Sequence, residues 1–424
     1  MLPEAAAGEV PRGQRVVGHV GAFMGSMAFL LLLPAGRSRL EHLWAEDGPM
    51  FIRDAVVHEF GRNLVTPYGG YLHTVPRLVA EAASVLPLEW VPVVFAVSAA
   101  AVRTSVALVV FAASGAYLRS FPLRFAHAAL VVVLPVGNTE PLNNLTNLHW
   151  FLLYGAFWAL LWRSAPRLPM AVLVVFAALS GALVFLLAPL ALLRLALPRR
   201  TVPVALLVGL AVQGLAMATT TRLPYSDDRY EPVDVALAAL LRVPLAGLTG
   251  SEQVHRLYPA FGHWPLAVAL LLTGLPVVAA LRWGGPAARL VAVYGVVCGA
   301  VVITMSLSMN WVHVLSAQFP GVVMTAQRYS VLPCLFLFTA MAVGLDAASR
   351  GRSVALAAQV LLGAIVLTAA VLHVRDGAGL LRGTPWRPGL EQAREQCAAG
   401  APEVRLDQEP DGWWLFLPCT HLRA

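Results

Sequence analysis

Two adjacent carboxylates, Glu46 and Asp47, are the residues of this sequence best suited to acid–base chemistry. They lie in the run Trp44-Ala-Glu-Asp-Gly-Pro-Met-Phe51, shortly after the first long apolar segment. Carboxylates beside an apolar segment are costly to desolvate unless they have a partner or a function. Consecutive residues of a regular helix point in different directions, so one would be the catalytic group and the other a metal ligand or the partner of an arginine. The alternative is a solvated turn, which Gly48-Pro49 favours.

A second group of polar and aromatic residues follows between Thr66 and Arg77. It contains Tyr68, Tyr71 and His73, and His73 stands four residues before Arg77. Residues at this spacing share one face of a helix, where an arginine and a histidine would bind a phosphate. The alternative for the tyrosines is a role as anchors at a membrane interface.

An amide-rich segment, residues 138–147, is the third candidate. It contains Asn143 and Asn147 and is followed directly by His149-Trp150. Amides donate and accept hydrogen bonds, and a tryptophan offers a stacking face, so this combination suits the hydroxyls of a sugar. Capping of a helix start by asparagine is the alternative, and it would account for one or two of the amides.

Arg328 and Tyr329 are the fourth candidate, at the start of a late apolar segment. An arginine at such a place can clamp an anionic lipid head group. It can equally be an anchor whose charged end extends to the interface.

The elements that must position these residues are membrane helices. Of 424 residues, 58% are hydrophobic and 12% are charged, whereas roughly a quarter of a soluble domain is charged. The chain has too little polar surface to cover itself in water, which argues against a water-soluble enzyme, a disordered protein and a nucleic-acid-binding protein. The formal net charge of +7 comes from arginines scattered between apolar segments, a pattern typical of membrane topology signals. The sequence therefore predicts an all-α polytopic membrane protein.

A spanning helix needs about 20 mostly apolar residues, and the sequence offers eleven candidate segments. They are 17–36, 91–117, 122–137, 148–163, 168–181, 182–198, 202–218, 265–282, 287–308, 329–348 and 353–373. Arginines before the first span and in alternate connections predict a cytoplasmic N-terminus and an exterior C-terminus. The outer face then receives 38–90, 138–147, 219–264, 309–328 and the tail from 374. The first span is followed by no small-residue cleavage site, so we expect it to be retained.

Two stretches of the outer segments, 72–86 and 233–248, are amphipathic enough to lie in the membrane interface as helices. We divide the chain into a membrane domain, residues 1–373, and a small exterior domain, residues 374–424.

The tail carries Cys397 and Cys419, which would form a disulfide in an oxidising exterior. It also carries Trp413-Trp414 in a polar context. We expect an ordered cap that could contact an acceptor glycan, because these tryptophans would otherwise be exposed. The alternative is a disordered end with interfacial tryptophans.

Several other classes of protein find no support in the sequence. It contains no Walker loop, Rossmann fingerprint, CxxC pair or HExxH motif. No candidate span carries an acidic residue in its middle, and Asp346 lies near a span end. Ion-coupled carriers usually need such groups within the membrane, so this pattern disfavours a transporter.

The layout of residues 17–373, with an acidic pair in the first outer segment, resembles the GT-C superfamily of membrane glycosyltransferases. Its specific motif is the pair Glu46-Asp47. The runs Trp44–Gly48, Tyr68–His73 and Asn144–Trp150 also resemble those of actinobacterial members of that superfamily. The resemblance implies a GT-C-like fold. It also implies transfer of a sugar from a polyprenyl-phosphate carrier to an exported glycan or lipid, at the outer face of the cytoplasmic membrane.

The resemblance further implies roles for the acidic pair. One carboxylate, Asp47 by preference and Glu46 otherwise, would take the proton from an acceptor hydroxyl as that hydroxyl attacks the anomeric carbon, with inversion. Some members of the superfamily use a divalent metal, so Mg²⁺ or Mn²⁺ held by Glu46 or Asp47 is a further expectation.

The leaving phosphate would be stabilised by Arg77 or Arg328 together with His73 or His149. The remaining residues expected to contact the donor or the acceptor are Tyr68, Tyr71, Asn143, Asn147 and Tyr329.

Two rival hypotheses share the same outer residues. One is a non-enzymatic transporter or flippase for lipid-linked saccharides, and the other is a scaffold of a cell-envelope assembly complex. Neither needs Glu46-Asp47 as a base, so substitution of this pair separates them from the enzyme.

Overall fold

The computed structural model describes residues 12–221, 231–309, 326–349, 351–376 and 383–422. Within these ranges the chain is mostly helical, as its composition predicts. Two short antiparallel strands lie near the C-terminus.

The α-helices are numbered here in chain order over the described ranges. They are α1 (Arg12–Leu32), α2 (Pro34–Arg39), α3 (Arg53–Val57), α4 (Thr74–Ser84), α5 (Val91–Ser114), α6 (Phe121–Val133), α7 (Leu148–Leu161), α8 (Arg167–Ala178), α9 (Ala188–Leu195), α10 (Thr201–Ala218), α11 (Pro232–Leu240), α12 (Ala246–Thr249), α13 (Ser251–Phe261), α14 (Trp264–Trp283), α15 (Pro286–Met309), α16 (Arg328–Ala348), α17 (Arg352–Asp376) and α18 (Trp386–Ala398). Short 3₁₀-helices and single π-helical turns connect several of them.

Seven helices of the described ranges are long and apolar enough to cross a membrane. They are Leu88–Ser114, Thr201–Ala218, Pro232–Thr249, Trp264–Trp283, Pro286–Met309, Arg328–Ala348 and Arg352–Arg375. Six of them coincide with predicted spans. The seventh, Pro232–Thr249, falls on the stretch that we predicted to be an interfacial helix. Its side chains Val235 and Ala238 pack against Ile303 and Leu307 of α15, so this helix packs along another spanning candidate.

The surface of these helices has the character expected of a lipid-facing wall. On α14, Val268, Leu271, Leu275 and Val278 follow each other at helical spacing, and each is more than half exposed. Such a stripe would be a large apolar patch in water, whereas lipid tails are as apolar as the side chains themselves. The exposed stripe therefore supports a membrane-embedded protein.

Of the five other predicted spans, α1 has 21 residues and the remaining four are shorter helices. The pair α6 and α7 illustrates the shorter ones. These helices have 13 and 14 residues, which gives each a length of about 20 Å against about 30 Å of hydrocarbon. The residues between them, 134–147, are nearly all buried. Irregular backbone at membrane depth is tolerated only where protein covers it. The predicted outer loop is thus a buried plug between the two helices.

Helices α7 and α16 form the centre of the bundle, because they are apolar and buried around almost their whole circumference. The rings of Phe157 and Phe336 meet edge to face at 5.1 Å. The Tyr154 hydroxyl lies 2.7 Å from Thr339 Oγ1 and 3.1 Å from His127 Nε2. These hydrogen bonds tie α6, α7 and α16 together.

Contacts between connecting segments join residues that the arginine pattern assigns to the same side. On the side predicted to be cytoplasmic, Asp346 Oδ1 accepts hydrogen bonds from the backbone amides of Arg119 (3.0 Å) and Ser120 (3.1 Å) at the start of α6. On the opposite side, Arg39 Nη2 donates to the carbonyl of Thr139 (2.9 Å). The acidic pair and the amide-rich segment lie on this second side.

Residues 383–422 form a compact unit that we call the cap. It consists of α18 and a hairpin of β1 (Glu403–Gln408) and β2 (Trp413–Pro418). A disulfide joins Cys397 in α18 to Cys419, which directly follows β2. The disulfide fixes the helix to the hairpin, so the cap can act as one rigid element.

Candidate functional site

The acidic pair lies in an irregular turn that separates the two carboxylates. Ala45–Asp47 form a single 3₁₀ turn, and Gly48–Ile52 form one wide helical turn that leads into α3. Ala45 has a φ of +46°, a left-handed conformation that costs a residue with a side chain about 1–2 kcal/mol. The turn directs Asp47 into the protein and leaves Glu46 half-buried.

Asp47 connects the acidic segment to the plug. Its Oδ1 accepts hydrogen bonds from the Thr146 amide (2.9 Å) and the Thr146 hydroxyl (2.7 Å), and its Oδ2 accepts one from the Leu145 amide (3.2 Å). The residue is only 1% exposed. Burial raises the pKa of Asp47 to about 7, against the opposing effect of these donors. Both carboxylate oxygens of Asp47 are therefore engaged in hydrogen bonds within the protein.

This pKa gives the stability of the protein a defined pH dependence. Between the ordinary value of 3.8 and about 7, the folded protein keeps a proton on Asp47 that the unfolded chain releases. Raising the pH through this window therefore favours unfolding. We expect the free energy of unfolding to fall by about 3 kcal/mol between pH 5 and pH 8 because of this group. Thermal unfolding of the detergent-solubilised protein measures the effect.

The matched variants are Asp47→Asn and Asp411→Asn, the second at an exposed aspartate in the cap turn. Asp47→Asn should flatten the pH dependence, and Asp411→Asn should keep it. Equal pH dependence in wild type and Asp47→Asn would contradict the raised pKa.

Glu46 faces a different set of groups. Burial raises the pKa of Glu46, and the nearby charge of Arg328 opposes this effect. The Glu46 charge also acts on the hydroxyl of Tyr68, whose pKa burial and this charge raise to about 12. Glu46 is thus a partly exposed carboxylate in a site that contains an arginine and a tyrosine.

Arg328 reaches the site from the first turn of α16 and is paired with Glu140 of the plug. Arg328 Nη1 donates to Glu140 Oε1, and the Arg328 amide donates to Glu140 Oε2 (3.3 Å). The guanidinium stacks on the ring of Tyr329 at 4.8 Å. The Arg328 side chain is one-third exposed, so part of its fork can contact a ligand beside Glu46.

His149 lies at the start of α7, and its charge environment includes Arg328. Its Nδ1 is 2.9 Å from the carbonyl of Thr146. A carbonyl only accepts, so Nδ1 carries the proton, and Nε2 is left as a hydrogen-bond acceptor. The ring packs against the Trp150 ring in a tilted arrangement, with 4.4 Å between the ring centroids. Gly181 makes room for it, because a Cβ there would lie 3.1 Å from the His149 Cβ.

An aromatic group stands next to these residues. The chain turns back at Gly69-Gly70, so that the Tyr68 amide donates to the Tyr71 carbonyl (2.9 Å). The His73 ring lies 4.3 Å from the ring of Tyr71 and 5.6 Å from that of Tyr68. Burial, and then the charge of His149, lower the pKa of His73 to about 3. His73 is therefore a neutral ring in the wall of the site.

Arg77 is not brought to Glu46, although sequence spacing made it a candidate for phosphate binding. Its Nη1 lies 3.3 Å from Asp54 Oδ2 and 3.4 Å from the carbonyl of Met50, and the residue is 2% exposed. Its charge is used to join α4 to α3. Arg328 is thus the arginine that the structure places at the site.

The two predicted sugar-binding amides are used inside the plug. Asn143 Nδ2 donates to the Leu30 carbonyl (2.6 Å), and Asn143 itself has a φ of +47°. Asn147 Nδ2 donates to Asn144 Oδ1 (2.9 Å). Both residues are at most 5% exposed, so they shape the plug and do not offer these groups to a ligand.

Two residues that sequence reasoning missed hold the site from outside. Gln213 of α10 accepts from the Leu72 amide (3.0 Å) and donates to the Leu72 carbonyl (3.3 Å), although it lies within an apolar helix. Arg39 stacks on the ring of Trp44 at 4.1 Å. Burial lowers the pKa of Arg39 to about 10, and the charge of Asp47 opposes this effect. A lone amide inside a predicted span was the available signal for Gln213.

The donor set does not fit the divalent metal that the resemblance implies. Mg²⁺ needs several oxygen ligands in near-octahedral geometry, but the oxygens of Asp47 accept three hydrogen bonds and Glu140 pairs with Arg328. Within the described ranges, no three His, Cys, Asp or Glu side chains are grouped to hold a metal ion.

The site that results consists of one accessible carboxylate, one arginine, one histidine and flanking aromatic rings. Its members are Glu46, Arg328, His149, Tyr68, Tyr71, His73 and Tyr329, and Asp47, Asn143, Asn147 and Arg77 support them. No family model, no curated protein and no solved structure matches this chain.

Proposed function

We propose that this protein is a membrane glycosyltransferase of GT-C type. It transfers a sugar from a polyprenyl-phosphate carrier to an exported glycan or lipid, at the outer face of the cytoplasmic membrane. The observation that carries the proposal is the position of Glu46. It is a half-buried carboxylate with a raised pKa, within reach of the charge of Arg328, on a bundle of apolar helices.

Glu46 acts as the base. It takes the proton from the acceptor hydroxyl while the hydroxyl oxygen forms a bond to the anomeric carbon. The bond from that carbon to the phosphate oxygen breaks, and its electron pair leaves with the phosphate. Attack and departure on opposite faces invert the anomeric centre. A raised pKa brings a carboxylate closer to the operating pH, where general bases are most effective.

The preference for Glu46 over Asp47 comes from geometry. Asp47 has the pKa of a good general base, but a base must first be within hydrogen-bond reach of the proton that it takes. Three donors occupy its oxygens, and the residue is buried. Asp47 therefore holds the turn, and Glu46 meets the substrate.

Arg328 and His149 complete the reaction centre. The exposed part of the Arg328 fork binds the phosphate, which becomes more negative as its bond to the sugar breaks. Nε2 of His149 accepts a hydrogen bond from a sugar hydroxyl, and the rings of Tyr68 and Tyr71 pack on the sugar face.

The test is a transfer assay with the full-length protein in lipid nanodiscs. A panel of radiolabelled polyprenyl-phosphate hexoses and pentoses is offered together with envelope glycan acceptors. Release of polyprenyl phosphate coupled to labelling of an acceptor supports the proposal. Binding of the donors without any turnover, over the whole panel, would instead favour the transporter or flippase. Absence of both would favour the scaffold.

A further inference from the structure

The cap is hydrogen-bonded to the residue just before Glu46. The Ala45 amide donates to the Glu409 carbonyl (2.5 Å), and the Glu409 amide donates to the Leu43 carbonyl (3.1 Å). Trp44 and Glu409 thereby form a parallel β-bridge. In addition, Gln408 Nε2 donates to the Ala45 carbonyl. Both backbone polar groups of Ala45 are therefore bonded to the cap.

Ala45 needs such bonds to keep its conformation. Its φ of +46° is in the left-handed region, where an L-residue with a Cβ is disfavoured. Without partners for its amide and carbonyl, Ala45 would relax to negative φ and turn the following residue in a different direction. That following residue is Glu46.

The cap is also attached to the rest of the protein at points away from the acidic turn, so its position does not depend on that turn alone. Trp386 donates from its amide to the Glu41 carbonyl (2.7 Å) and from its indole Nε1 to the Leu88 carbonyl (2.7 Å). Arg394 pairs with Glu89 at 2.6 Å. These contacts fix α18 to the segment that precedes α5, and the disulfide fixes the hairpin to α18.

We propose that the cap is a positioning element for Glu46, in which Gln408 and the backbone of Glu409 hold Ala45 in its left-handed conformation. The catalytic meaning of this inference rests on the proposed function, whereas the structural coupling does not. Gln408 is a positioning residue, since it acts on Glu46 through the backbone of Ala45.

The coupling is tested by hydrogen exchange on the full-length protein in nanodiscs, with Gln408→Ala as the variant. The control is Gln392→Ala, at an exposed glutamine of the same cap. The reporters are the amides of Ala45 and Asp47, which donate to Glu409 and to Trp44. We expect them to exchange about tenfold faster in Gln408→Ala, from the loss of one hydrogen bond, and at the wild-type rate in Gln392→Ala.

The same variants are then compared in the transfer assay. In Gln408→Ala we expect kcat to fall by about 10²-fold, because a displacement of about 1 Å at a reacting group has this effect. The KM for the donor should stay unchanged. Gln408→Glu is a second, isosteric variant, which places a carboxylate against the Ala45 carbonyl. It should show the same faster exchange and the same lower kcat, and it replaces Gln408→Ala in the test if that variant does not fold.

The outcomes separate the two proposals. Unchanged exchange at Ala45 and Asp47 in both Gln408 variants overturns the positioning role, whatever reaction the protein performs. Faster exchange with wild-type kcat overturns it as well. If the wild-type protein transfers no sugar, the proposed function fails, and exchange alone decides whether the cap holds the acidic turn.

Discussion

Replacement of Glu46 by glutamine is expected to lower the rate of sugar transfer by about 10²–10⁴-fold, the usual contribution of a general base. Glutamine has the same shape but cannot accept the proton of the acceptor hydroxyl. Glu46 is half-buried at a turn that is held by Asp47 and by the cap, so the substitution should leave the fold intact. We expect kcat to fall and binding of the donor to persist. Transfer kinetics and donor binding in nanodiscs measure both.

The matched control is Glu59→Gln, at an exposed glutamate of the same outer segment, which should transfer at the wild-type rate. Asp47→Asn provides a second comparison. We expect it to lower stability together with activity, because an amide NH₂ would face the donors of Leu145 or Thr146. If Glu46→Gln keeps full activity while Asp47→Asn folds normally and is inactive, the two assignments are reversed.

If Glu46 is the base, the rate of transfer by the wild-type protein should depend on pH in a defined direction. Burial raises the pKa of Glu46 above the ordinary value of 4.5. Only the ionised carboxylate accepts a proton, so the rate should fall as the pH is lowered through this raised pKa. The acid limb should therefore lie at a higher pH than the ordinary pKa of a glutamate, and the residual activity of Glu46→Gln should lack it.

Local signals were enough to single out the acidic pair and to assign it to an outer segment. The side of the membrane stays a prediction. Apolar segments and arginines assigned Glu46, Glu140 and Arg328 to the same side, and the structure brings these three residues together. The resemblance favoured Asp47 as the base. The proposal of Glu46 in its place rests on the Thr146 donors to Asp47, which are 99 residues away in the chain and which no local pattern indicates.

The same limit applies to the partners of individual polar residues. Asn143 and Asn147 were expected at the sugar because amides suit hydroxyls, but amides also bond to backbone, and the burial of the plug selects that use. Arg77 was expected at a phosphate, but a local partner, Asp54, takes its charge. Gln408 is 363 residues from the carbonyl that it holds, so no pattern within one segment could indicate it.

The second large effect is expected from Arg328→Gln, in both stability and transfer. The substitution leaves Glu140, whose side chain is 12% exposed, without its cation. Breaking a buried ion pair in this way costs about 3–5 kcal/mol. Because the Arg328 side chain is one-third exposed, we expect the low end, about 3 kcal/mol. Transfer should fall as well, since the leaving phosphate loses its charged donor.

The double variant Arg328→Gln/Glu140→Gln separates the two roles of Arg328. Neutralising both partners removes the unpaired charge, so most of the lost stability should return, because the cost of a one-sided substitution comes from the uncompensated charge that it leaves. The rate of transfer should stay as low as in Arg328→Gln. In both variants the KM for the donor should be about tenfold or more above that of the wild type, since a charged hydrogen bond to phosphate is lost. Thermal unfolding and transfer kinetics on the same preparations measure both. A double variant that transfers at the wild-type rate would show that Arg328 serves the plug and not the phosphate.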